Sequence, residues 1–320
     1  MADLVTLDDI RAAAARIRPA ARVTPLIDVP WPAPDAGDRR LWLKCENLQP
    51  MGAFKIRGAT NMLRQLAPEA LARGVITYSS GNHGQAVALA AREAGVPAVI
   101  VMPTTAPPVK IEGAKAYGAE VLFAGTTSAH RKALAEQIAA ERGLTMIPPF
   151  DDKMIIAGQG TVGLEILEQL PSVGTVYVEV GGGGLIAGVS AAIKQARPDV
   201  RIVGVEPEGA PKMSASLAAG KPVTLETVGT IADGLMAVRP GDLNFAHVRE
   251  FVDEVVTVCD GAIECMVPWL FRHARLVAEP SGAVAATAVA LGLGHPQGEV
   301  VAIVSGGNVD PALFARLIQG

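Results

Sequence analysis

The sequence has few aromatic residues and no long apolar run. Only 4% of its 320 residues are Phe, Trp or Tyr while half are hydrophobic, so a core must consist mainly of Ala, Val, Leu and Ile. The longest apolar stretch, around residues 283–294, is shorter than the ~18 residues that a membrane span needs. No apolar core of a signal peptide stands near the N-terminus. These absences predict a globular protein that does not interact with membranes.

Cysteine and basic charge are also scarce. Cys45, Cys259 and Cys265 show no CxxC spacing, which argues against a disulfide framework and a zinc site. We expect them to be small buried hydrophobic residues in a reducing compartment, the cytoplasm. The 28 Lys and Arg are outnumbered by 32 Asp and Glu, and this balance argues against a nucleic-acid partner.

Short β-rich runs alternate with longer helical patterns from residue 41 to the end of the chain. This alternation is typical of parallel sheets covered by helices, and it predicts an α/β fold. The predicted strands are 41–45, 75–78, 98–102, 120–123, 175–180, 201–206, 254–258 and 300–305. The predicted helices between them are 85–94, 127–142, 154–170 and 185–196.

The order of these units predicts two domains. At about 150 residues per domain, the length itself allows two. A compact block over residues 71–149 interrupts the series, which restarts near residue 150. We therefore expect a small domain (71–149) inserted into a larger one (1–70 plus 150–320), with the active site in the cleft between them. Ligands of such sheets bind beyond the carboxyl ends of the strands.

Four consecutive glycines give the strongest local signal. Gly181, Gly182, Gly183 and Gly184 lie between a predicted strand and a predicted helix. Their uncovered backbone N–H groups and the positive end of the helix favour an anion, most often a phosphate.

The same segment also fits a dinucleotide-binding fingerprint. Gly182, Gly184 and Ala187 satisfy G-x-G-x-x-A, and Glu206 ends the next predicted strand, where such proteins carry an acid for the ribose. A nicotinamide-dependent dehydrogenase is therefore an alternative. Against it, the fingerprint normally opens the first unit of its domain, whereas several predicted strands precede it here.

Three further segments carry polar groups at strand or helix ends. The segment SSGNHG at residues 79–84 crowds two hydroxyls, an amide and an imidazole onto one helix N-terminus, more than capping requires, which suits a substrate carboxylate. Lys55 stands at a helix start between Phe54 and Ile56, where partial burial and the helix dipole lower the pKa of an amine. Ser305 opens a small polar loop, SGGN, after the last predicted strand.

Eight blocks in this order resemble the fold type II pyridoxal phosphate enzymes, in the branch of threonine/serine dehydratase and serine racemase. The blocks are TPL (24–26), GAFKIRGA (52–59), SSGNHGQA (79–86), AGQGT (157–161), GGGGLIAG (181–188), IADG (231–234), EPSGA (279–283) and SGGN (305–308). The resemblance covers nearly the whole chain. It implies two open sheets of parallel type flanked by helices, with pyridoxal 5'-phosphate as the cofactor.

The resemblance also implies a role for each matching residue. Lys55 would hold the cofactor as a Schiff base and act as the base at Cα, and Ser80 would move a proton on the opposite face of the ring. The implied cofactor-binding residues are Phe54, Lys55, Asn82, Gly181, Gly182, Gly183, Gly184, Leu185, Gly234 and Ser305. The implied substrate-binding residues are Ser79, Ser80, Asn82, His83 and Arg131, of which Arg131 is equally well explained as a solvated helix residue.

Ser305 would meet the pyridine nitrogen of the cofactor. A hydroxyl there, unlike a carboxylate, does not enforce protonation of the ring. The ring then withdraws electrons from the substrate less strongly, which suits β-elimination.

Two departures from the racemase pattern favour a dehydratase. Racemase-like members that bind a divalent metal have an acid where this chain has Lys212, so we expect no metal and a pairing of Lys212 with Glu206 instead. The segment PPFDD (148–152) carries Phe150 where racemases tend to have Asn.

The resulting hypothesis is an L-threonine/L-serine dehydratase, an ammonia-lyase that converts a 3-hydroxy amino acid to a 2-oxo acid and ammonia. Alternatives are a serine racemase, a dehydratase of hydroxyaspartate or phenylserine, and a cofactor-binding protein without turnover. The expected partner is a small amino-acid substrate, and the resemblance predicts a homodimer.

Overall fold

Residues 4–33, 37–79, 81–106 and 108–319 are described in a computed structural model of the chain. Over these ranges, ten strands form two sheets, one of six strands and one of four. In spatial order, the larger sheet consists of β1 (Leu26–Pro30), β2 (Arg40–Lys44), β10 (Glu299–Ile303), β7 (Val173–Glu179), β8 (Arg201–Pro207) and β9 (Glu254–Val258). The smaller sheet consists of β5 (Glu120–Phe123), β4 (Ala98–Met102), β3 (Val75–Tyr78) and β6 (Thr145–Met146).

Helices cover both sheets. In chain order they are α1 (Leu7–Ile17), α2 (Ile56–Leu63), α3 (Pro68–Arg73), α4 (Asn82–Ala94), α5 (Pro108–Ala116), α6 (Ser128–Arg142), α7 (Lys153–Gln169), α8 (Gly184–Ala196), α9 (Lys212–Ala219), α10 (Asp242–Phe251), α11 (Asp260–Ala274), α12 (Pro280–Ala290) and α13 (Pro311–Gln319). Short 3-10 helices span Glu46–Leu48 and Asp233–Leu235. None of the helices within the described ranges is long and apolar enough to cross a lipid bilayer.

The α/β prediction is confirmed, and the eight predicted strands are present to within two residues at each end. Strands β1 and β6 were not predicted. β1 carries Asp28 and ends at Pro30, so its alternation is weak, and it lies antiparallel to β2 at an edge of the sheet, where proline is tolerated. β6 has only two residues. The other strand pairs are parallel.

Burial explains why the central strands have nearly continuous apolar sequences. β4 (AVIVM) is buried at every position, as expected for a parallel strand covered on both faces. One face of the larger sheet packs against α12, which is buried along nearly its whole length, and the other packs against α8. The low aromatic content therefore suits a core of small aliphatic side chains.

Glycines bring three helices into close contact behind the strand ends. A Cβ atom added at Gly158 in α7 would lie 2.6 Å from the Cα atom of Gly58 in α2. A Cβ atom added at Gly188 in α8 would lie 2.4 Å from the backbone nitrogen of Gly160 in α7. Only glycine allows backbones to approach so closely. Helix α7 thereby fixes α2 relative to α8.

The two-domain boundaries remain a prediction. Apolar residues of α2, within the predicted larger domain, pack into the core of the smaller sheet, as Ile56, Ala59 and Leu63 show. The expectation for the cysteines was correct only for Cys45, which is buried. Cys259, at the N-cap of α11, and Cys265, within that helix, are exposed.

Candidate active site

Lys55 and Ser305 lie on two loops joined by backbone hydrogen bonds. The backbone N–H of Phe54 donates to the carbonyl oxygen of Ser305 at 3.1 Å, and that of Gly307 donates to the carbonyl oxygen of Gly52 at 2.8 Å. The lysine loop precedes α2, and the serine loop follows β10. The structure thus brings together two motifs that are 250 residues apart in the chain.

The amine of Lys55 lies in a partly apolar environment. Its Nζ atom donates to the carbonyl oxygen of Pro149 at 2.7 Å and lies 5.2 Å from the ring centroid of Phe54. Burial lowers the pKa of Lys55 to about 8. At pH 7 roughly a tenth of the Lys55 side chains are therefore free amines, the nucleophilic form, far more than for a lysine with its ordinary pKa.

The four glycines form a turn between β7 and α8, packed against Phe150. A Cβ atom at Gly182 would lie 2.3 Å from the Phe150 ring, and one at Gly184 would lie 3.0 Å from the Phe150 Cβ atom. Gly183 has a φ of +98°, in the left-handed region that favours glycine. The turn leads into the N-terminus of α8, a favourable position for a phosphate.

Two further predicted cofactor-binding residues lie next to this turn. Leu185 is a buried core residue at the start of α8. The carbonyl oxygen of Gly234 would lie 3.2 Å from a Cβ atom at Gly181, and its N–H donates to the Ser281 hydroxyl at 2.9 Å. The IADG and EPSGA blocks therefore meet behind the glycine turn.

Asn82 links the helix α4 N-terminus to both loops of the larger sheet. Its Nδ2 atom donates to Glu279 at 2.5 Å, and its Oδ1 atom accepts from the side chain of Asn308 at 2.8 Å. Asn308 also donates to the carbonyl oxygen of Met51, just before the lysine loop. Asn82 is thus held within the same hydrogen-bonded cluster as Lys55 and Ser305.

Three charged residues of this region were not predicted from the sequence. Glu279 is buried, and burial raises its pKa to about 7. Lys110 of α5 forms an ion pair with Asp233, next to Gly234, and so joins the helix layer of the smaller sheet to the glycine turn region. Glu279 belongs to the EPSGA block, so the resemblance to the family could have pointed to this residue. Lys110 and Asp233 come together only through the fold.

His83 is a neutral side chain in this site. It is buried, and its Nε2 atom lies 3.1 Å from the carbonyl oxygen of Ile147, so Nε2 carries the proton. Burial, together with the charge of Lys55, lowers the pKa of His83 to about 3 despite this carbonyl contact. His83 therefore carries no positive charge, and its remaining ring nitrogen, Nδ1, can only accept a hydrogen bond.

The remaining predicted substrate residues differ in how they are placed. The Ser79 hydroxyl accepts from the backbone N–H of Gly81 at 3.2 Å. Arg131 is buried rather than solvated, which rules out the solvated alternative. Its guanidinium donates to the carbonyl oxygen of Thr126 and to the Ser128 hydroxyl, while Nε has no partner in the described ranges. Ser80 lies outside the described residues.

These groups fit pyridoxal phosphate. The glycine turn suits its phosphate, the Lys55 amine its aldehyde, Asn82 its ring oxygen and Ser305 its ring nitrogen. Buried acceptor atoms without a partner in the described part of the chain, Nδ1 of His83 and Oε2 of Glu279, leave hydrogen-bonding capacity near Asn82 for a bound ligand.

Lys212 occupies the position expected from the sequence and pairs with Glu206. The side chain is fully buried, and its Nζ atom lies 3.2 Å from the Glu206 carboxylate. It donates to the carbonyl oxygens of Val180 at 2.7 Å, Ala210 at 2.9 Å and Leu235 at 3.1 Å. These hydrogen bonds of the ammonium therefore stabilise the strand end that leads into the glycine turn.

The environment of Glu206 counts against the dehydrogenase alternative. Its carboxylate accepts from the backbone N–H groups of Met213 and Ser214, from the Ser214 hydroxyl and from Lys212. It caps the start of α9 and is fully buried, so it is not available to bind a ribose.

If the Lys212 ammonium replaces a metal ion, EDTA should leave both activity and melting temperature unchanged. Lys212→Asp should lower the stability by roughly 3 kcal/mol, because it removes one partner of a buried pair. Added Mg²⁺ or Ca²⁺ should restore it, since carboxylate and carbonyl oxygens are the ligands that these ions prefer. Thermal melts of the Lys212→Asp protein with and without each ion measure the loss of stability and its recovery.

The matched control is Lys221→Asp, the same charge change at an exposed residue just after α9, which should not respond to the ions. Inactivation of the unmodified protein by EDTA, reversed by Mg²⁺, would contradict the prediction.

Among the described residues, no group of three or more His, Cys, Asp or Glu side chains could hold a metal ion.

Comparisons with known proteins identify the family of this chain. A family described as "Pyridoxal-phosphate dependent enzyme" matches residues 17–306. An L-threonine ammonia-lyase of Thermotoga maritima is 42% identical over 316 residues, which is 99% of this chain and 79% of that protein. A serine racemase of Oryza sativa subsp. japonica is 41% identical over 310 residues, 95% of this chain and 91% of that protein.

Solved structures give the same result. The structure of maize serine racemase superposes with a TM-score of 0.93 at 41% identity, covering 98% of this chain and 97% of that one. The processed form of threonine deaminase isoform 2 from Solanum lycopersicum superposes with a TM-score of 0.91 at 40% identity, covering 98% and 86%. This chain is a member of the family of pyridoxal-phosphate dependent enzymes, and pyridoxal 5'-phosphate is its cofactor.

Proposed function

We propose that this protein is an L-threonine/L-serine ammonia-lyase, which removes water from a 3-hydroxy amino acid and releases a 2-oxo acid and ammonia. The observation that carries the proposal is the Lys55 amine, with a pKa of about 8, on a loop hydrogen-bonded to the loop of Ser305. Relatives named L-threonine ammonia-lyase or L-threonine dehydratase, 41–43% identical to this chain, support the choice of reaction.

Each polar group near Lys55 has a place in this reaction. When bound, the cofactor withdraws electrons from the substrate Cα and makes its proton acidic. The free amine of Lys55 takes that proton, and Phe54 packs beside the amine. Asn82, held by Glu279 and Asn308, is oriented to donate to the ring oxygen, and the glycine turn retains the phosphate. The Ser79 hydroxyl donates a hydrogen bond to the substrate carboxylate, and His83 lies beside it without donating, because its one ring proton is held by the carbonyl oxygen of Ile147.

Serine racemase is the second candidate, because rice and maize proteins of that name match this chain at 41% identity. A racemase needs a proton carrier on each face of the substrate Cα. Lys55 serves one face, and Ser80 is the proposed carrier on the other. The departures at Phe150 and Lys212 favour the ammonia-lyase.

The decisive experiment is a substrate screen of the holoenzyme. Release of 2-oxo acid is measured with L-threonine, L-serine, 3-hydroxyaspartate and phenylserine, and chiral chromatography follows the formation of D-serine. We expect 2-oxo acid from L-threonine and L-serine at rates at least about tenfold above those of the other two substrates. A protein that binds the cofactor but releases no 2-oxo acid from any of the four would contradict the proposal. Interconversion of serine enantiomers without elimination would favour the racemase.

A homodimer in the cytoplasm completes the proposal. Leu48 and Val277 are exposed apolar residues on neighbouring segments, since Asn47 donates a hydrogen bond to the carbonyl oxygen of Val277. Such neighbouring apolar groups suit contact with a second copy of the chain. Three cysteines without a disulfide spacing favour a reducing compartment.

A further inference from the structure

Glu179 is a buried acid that takes no part in the proposed reaction. It is the last residue of β7, two positions before the glycine turn, and it is only 2% exposed. Within the part of the chain that the structure describes, neither oxygen of its carboxyl group has a hydrogen-bond partner. Because buried carboxyl groups are normally paired, this one has unused hydrogen-bonding capacity at the edge of the site.

The carboxyl group of Glu179 lies beside Ser305. Strand β10 runs parallel to β7, with Ala302 opposite Tyr177, so both residues stand at the same edge of the sheet. The backbone N–H and the hydroxyl of Ser305 are close enough to lower the pKa of Glu179, without forming a hydrogen bond of normal geometry.

The surroundings of Glu179 favour its protonated form. Burial raises the pKa of Glu179 well above its ordinary value, and the neighbouring Glu279 carboxyl raises it further, against the opposing effect of Ser305. Beyond Glu279 stand Lys110 and Asp233, whose charges oppose one another at that residue. A protonated carboxyl group can donate a hydrogen bond to the hydroxyl of Ser305.

A hydroxyl group that donates its proton to one partner becomes a better acceptor for another. Ser305 can therefore donate to a ring nitrogen while it accepts from Glu179. If the nitrogen gains a full proton, the O–H bond of Ser305 breaks as an N–H bond forms, and Ser305 takes the proton of Glu179. The products are a carboxylate at Glu179 and a cationic ring nitrogen, and the reverse transfer restores both groups.

We propose that Glu179 is a positioning residue that acts through the Ser305 hydroxyl and controls the protonation of the cofactor's ring nitrogen. The proposal rests on the proposed function and on the placement of Ser305 at that nitrogen. It changes the expectation that a hydroxyl leaves the ring unprotonated, because this hydroxyl is backed by an acid. The ring then withdraws electrons more strongly during removal of the Cα proton.

The test uses apoenzyme reconstituted with pyridoxal phosphate that carries ¹⁵N in the ring. The ¹⁵N chemical shift, followed against pH, reports protonation of the nitrogen directly. Glu179→Gln keeps the size and a hydrogen-bond donor but supplies no proton, so it should shift the resonance towards the unprotonated form and remove its pH dependence. It should lower kcat for elimination about tenfold, equivalent to about 1.4 kcal/mol, with KM changed less than about twofold.

A double-mutant cycle with Ser305→Ala tests whether the two residues act in series. Ser305→Ala alone should also shift the resonance, and Glu179→Gln should then add nothing. Glu93→Gln, the same change at an exposed position of α4, is the matched control and should behave like the unmodified protein. If Glu179→Gln has the same effect with and without Ser305, or no effect while Ser305→Ala has one, the proposal is overturned and the proposed function stands. If the unmodified protein binds no labelled cofactor, the proposal for Glu179 and the proposed function both fail.

The apoenzyme gives an independent readout. A raised pKa in the folded state means that a stability cost builds up as pH rises from the unfolded value of about 4.3 through the folded value. Glu179→Gln removes that cost. It should raise the melting temperature at neutral pH and leave it unchanged below about pH 4. A lower melting temperature at both pH values would show that the carboxyl group serves packing alone, and this result would also overturn the proposal.

Discussion

A Lys55→Ala variant should be colourless after incubation with pyridoxal phosphate and should release no measurable 2-oxo acid. The amine that binds the aldehyde and the base that takes the Cα proton are the same group, and general-base catalysis alone contributes about 10²–10⁴-fold. We therefore expect kcat to fall by at least about 10³-fold. The absorption spectrum of the reconstituted protein and a 2-oxo acid assay measure the two losses separately.

Two further proteins control for charge and for folding. Lys55→Arg keeps a positive charge but cannot form a Schiff base, so it should be as inactive as the alanine variant. Lys115→Ala removes an exposed lysine of α5 and should leave colour and activity intact.

In the unmodified apoenzyme, the rate at which colour forms should rise with pH and reach half its maximum near pH 8, where Lys55 loses its proton. A coloured Lys55→Ala protein would place the Schiff base elsewhere.

An Arg57→Met variant should lose about 4 kcal/mol of stability. Arg57 follows the active-site lysine by two residues and is 1% exposed. Its guanidinium donates to both oxygens of Glu46, at 2.7 Å each, and to Glu165 at 2.6 and 2.9 Å. Lys44 also contacts Glu165, at 2.6 Å. Removal of one member of a buried ion pair costs about 3–5 kcal/mol because it leaves the partner charged and unpaired, and Arg57 has two such partners.

Thermal melts of the apoenzyme would measure this loss as a decrease of on the order of 8–10 °C. Burial alone would raise the pKa of Glu46, but the charge and hydrogen bonds of Arg57, with the charge of Lys44, more than offset it and lower the pKa. A lowered folded-state pKa stabilises the protein above the unfolded value of about 4.3, and that stabilisation is lost as the pH falls. The difference between the two proteins should therefore shrink in acid.

The control for Arg57 is Arg40→Met, which breaks an exposed ion pair with Asp28. Such pairs contribute about 0–1 kcal/mol, so the melting temperature should hardly move. Equal effects of the two substitutions would mean that the buried cluster does not stabilise α2. The kcat of Arg57→Met below its melting temperature would also show whether the cluster holds Lys55 in place.

Local patterns predicted the strand ends that carry the site. The glycine turn, the lysine loop and the serine loop each follow from the sequence, because turn glycines, apolar runs and helix starts are properties of neighbouring residues. The pairing of Lys212 with Glu206 was also expected, because Lys212 stands where the racemase-like family members carry an acid, and it is confirmed at 3.2 Å.

Contacts between distant segments could not be predicted in this way. The unpaired carboxyl of Glu179 depends on which strand lies beside β7, and the pairing of Lys110 with Asp233 joins helices 123 residues apart. For Arg131 the sequence left a substrate contact and a solvated position beside Lys132 equally open, and its position on α6 buries it. In each case burial, rather than residue type, decides the chemistry, and burial is a property of the whole fold.

The tethered ammonium of Lys212 has a consequence for how the enzyme responds to its surroundings. An ion that binds only the folded state stabilises it according to its free concentration, so an enzyme built around such an ion follows the ion's supply. The Lys212 ammonium is covalently attached to the chain, so it cannot leave the site and no competing ion can replace it. The contacts that Lys212 makes at the strand end before the glycine turn are therefore part of the chain itself and do not depend on the concentration of a free ion.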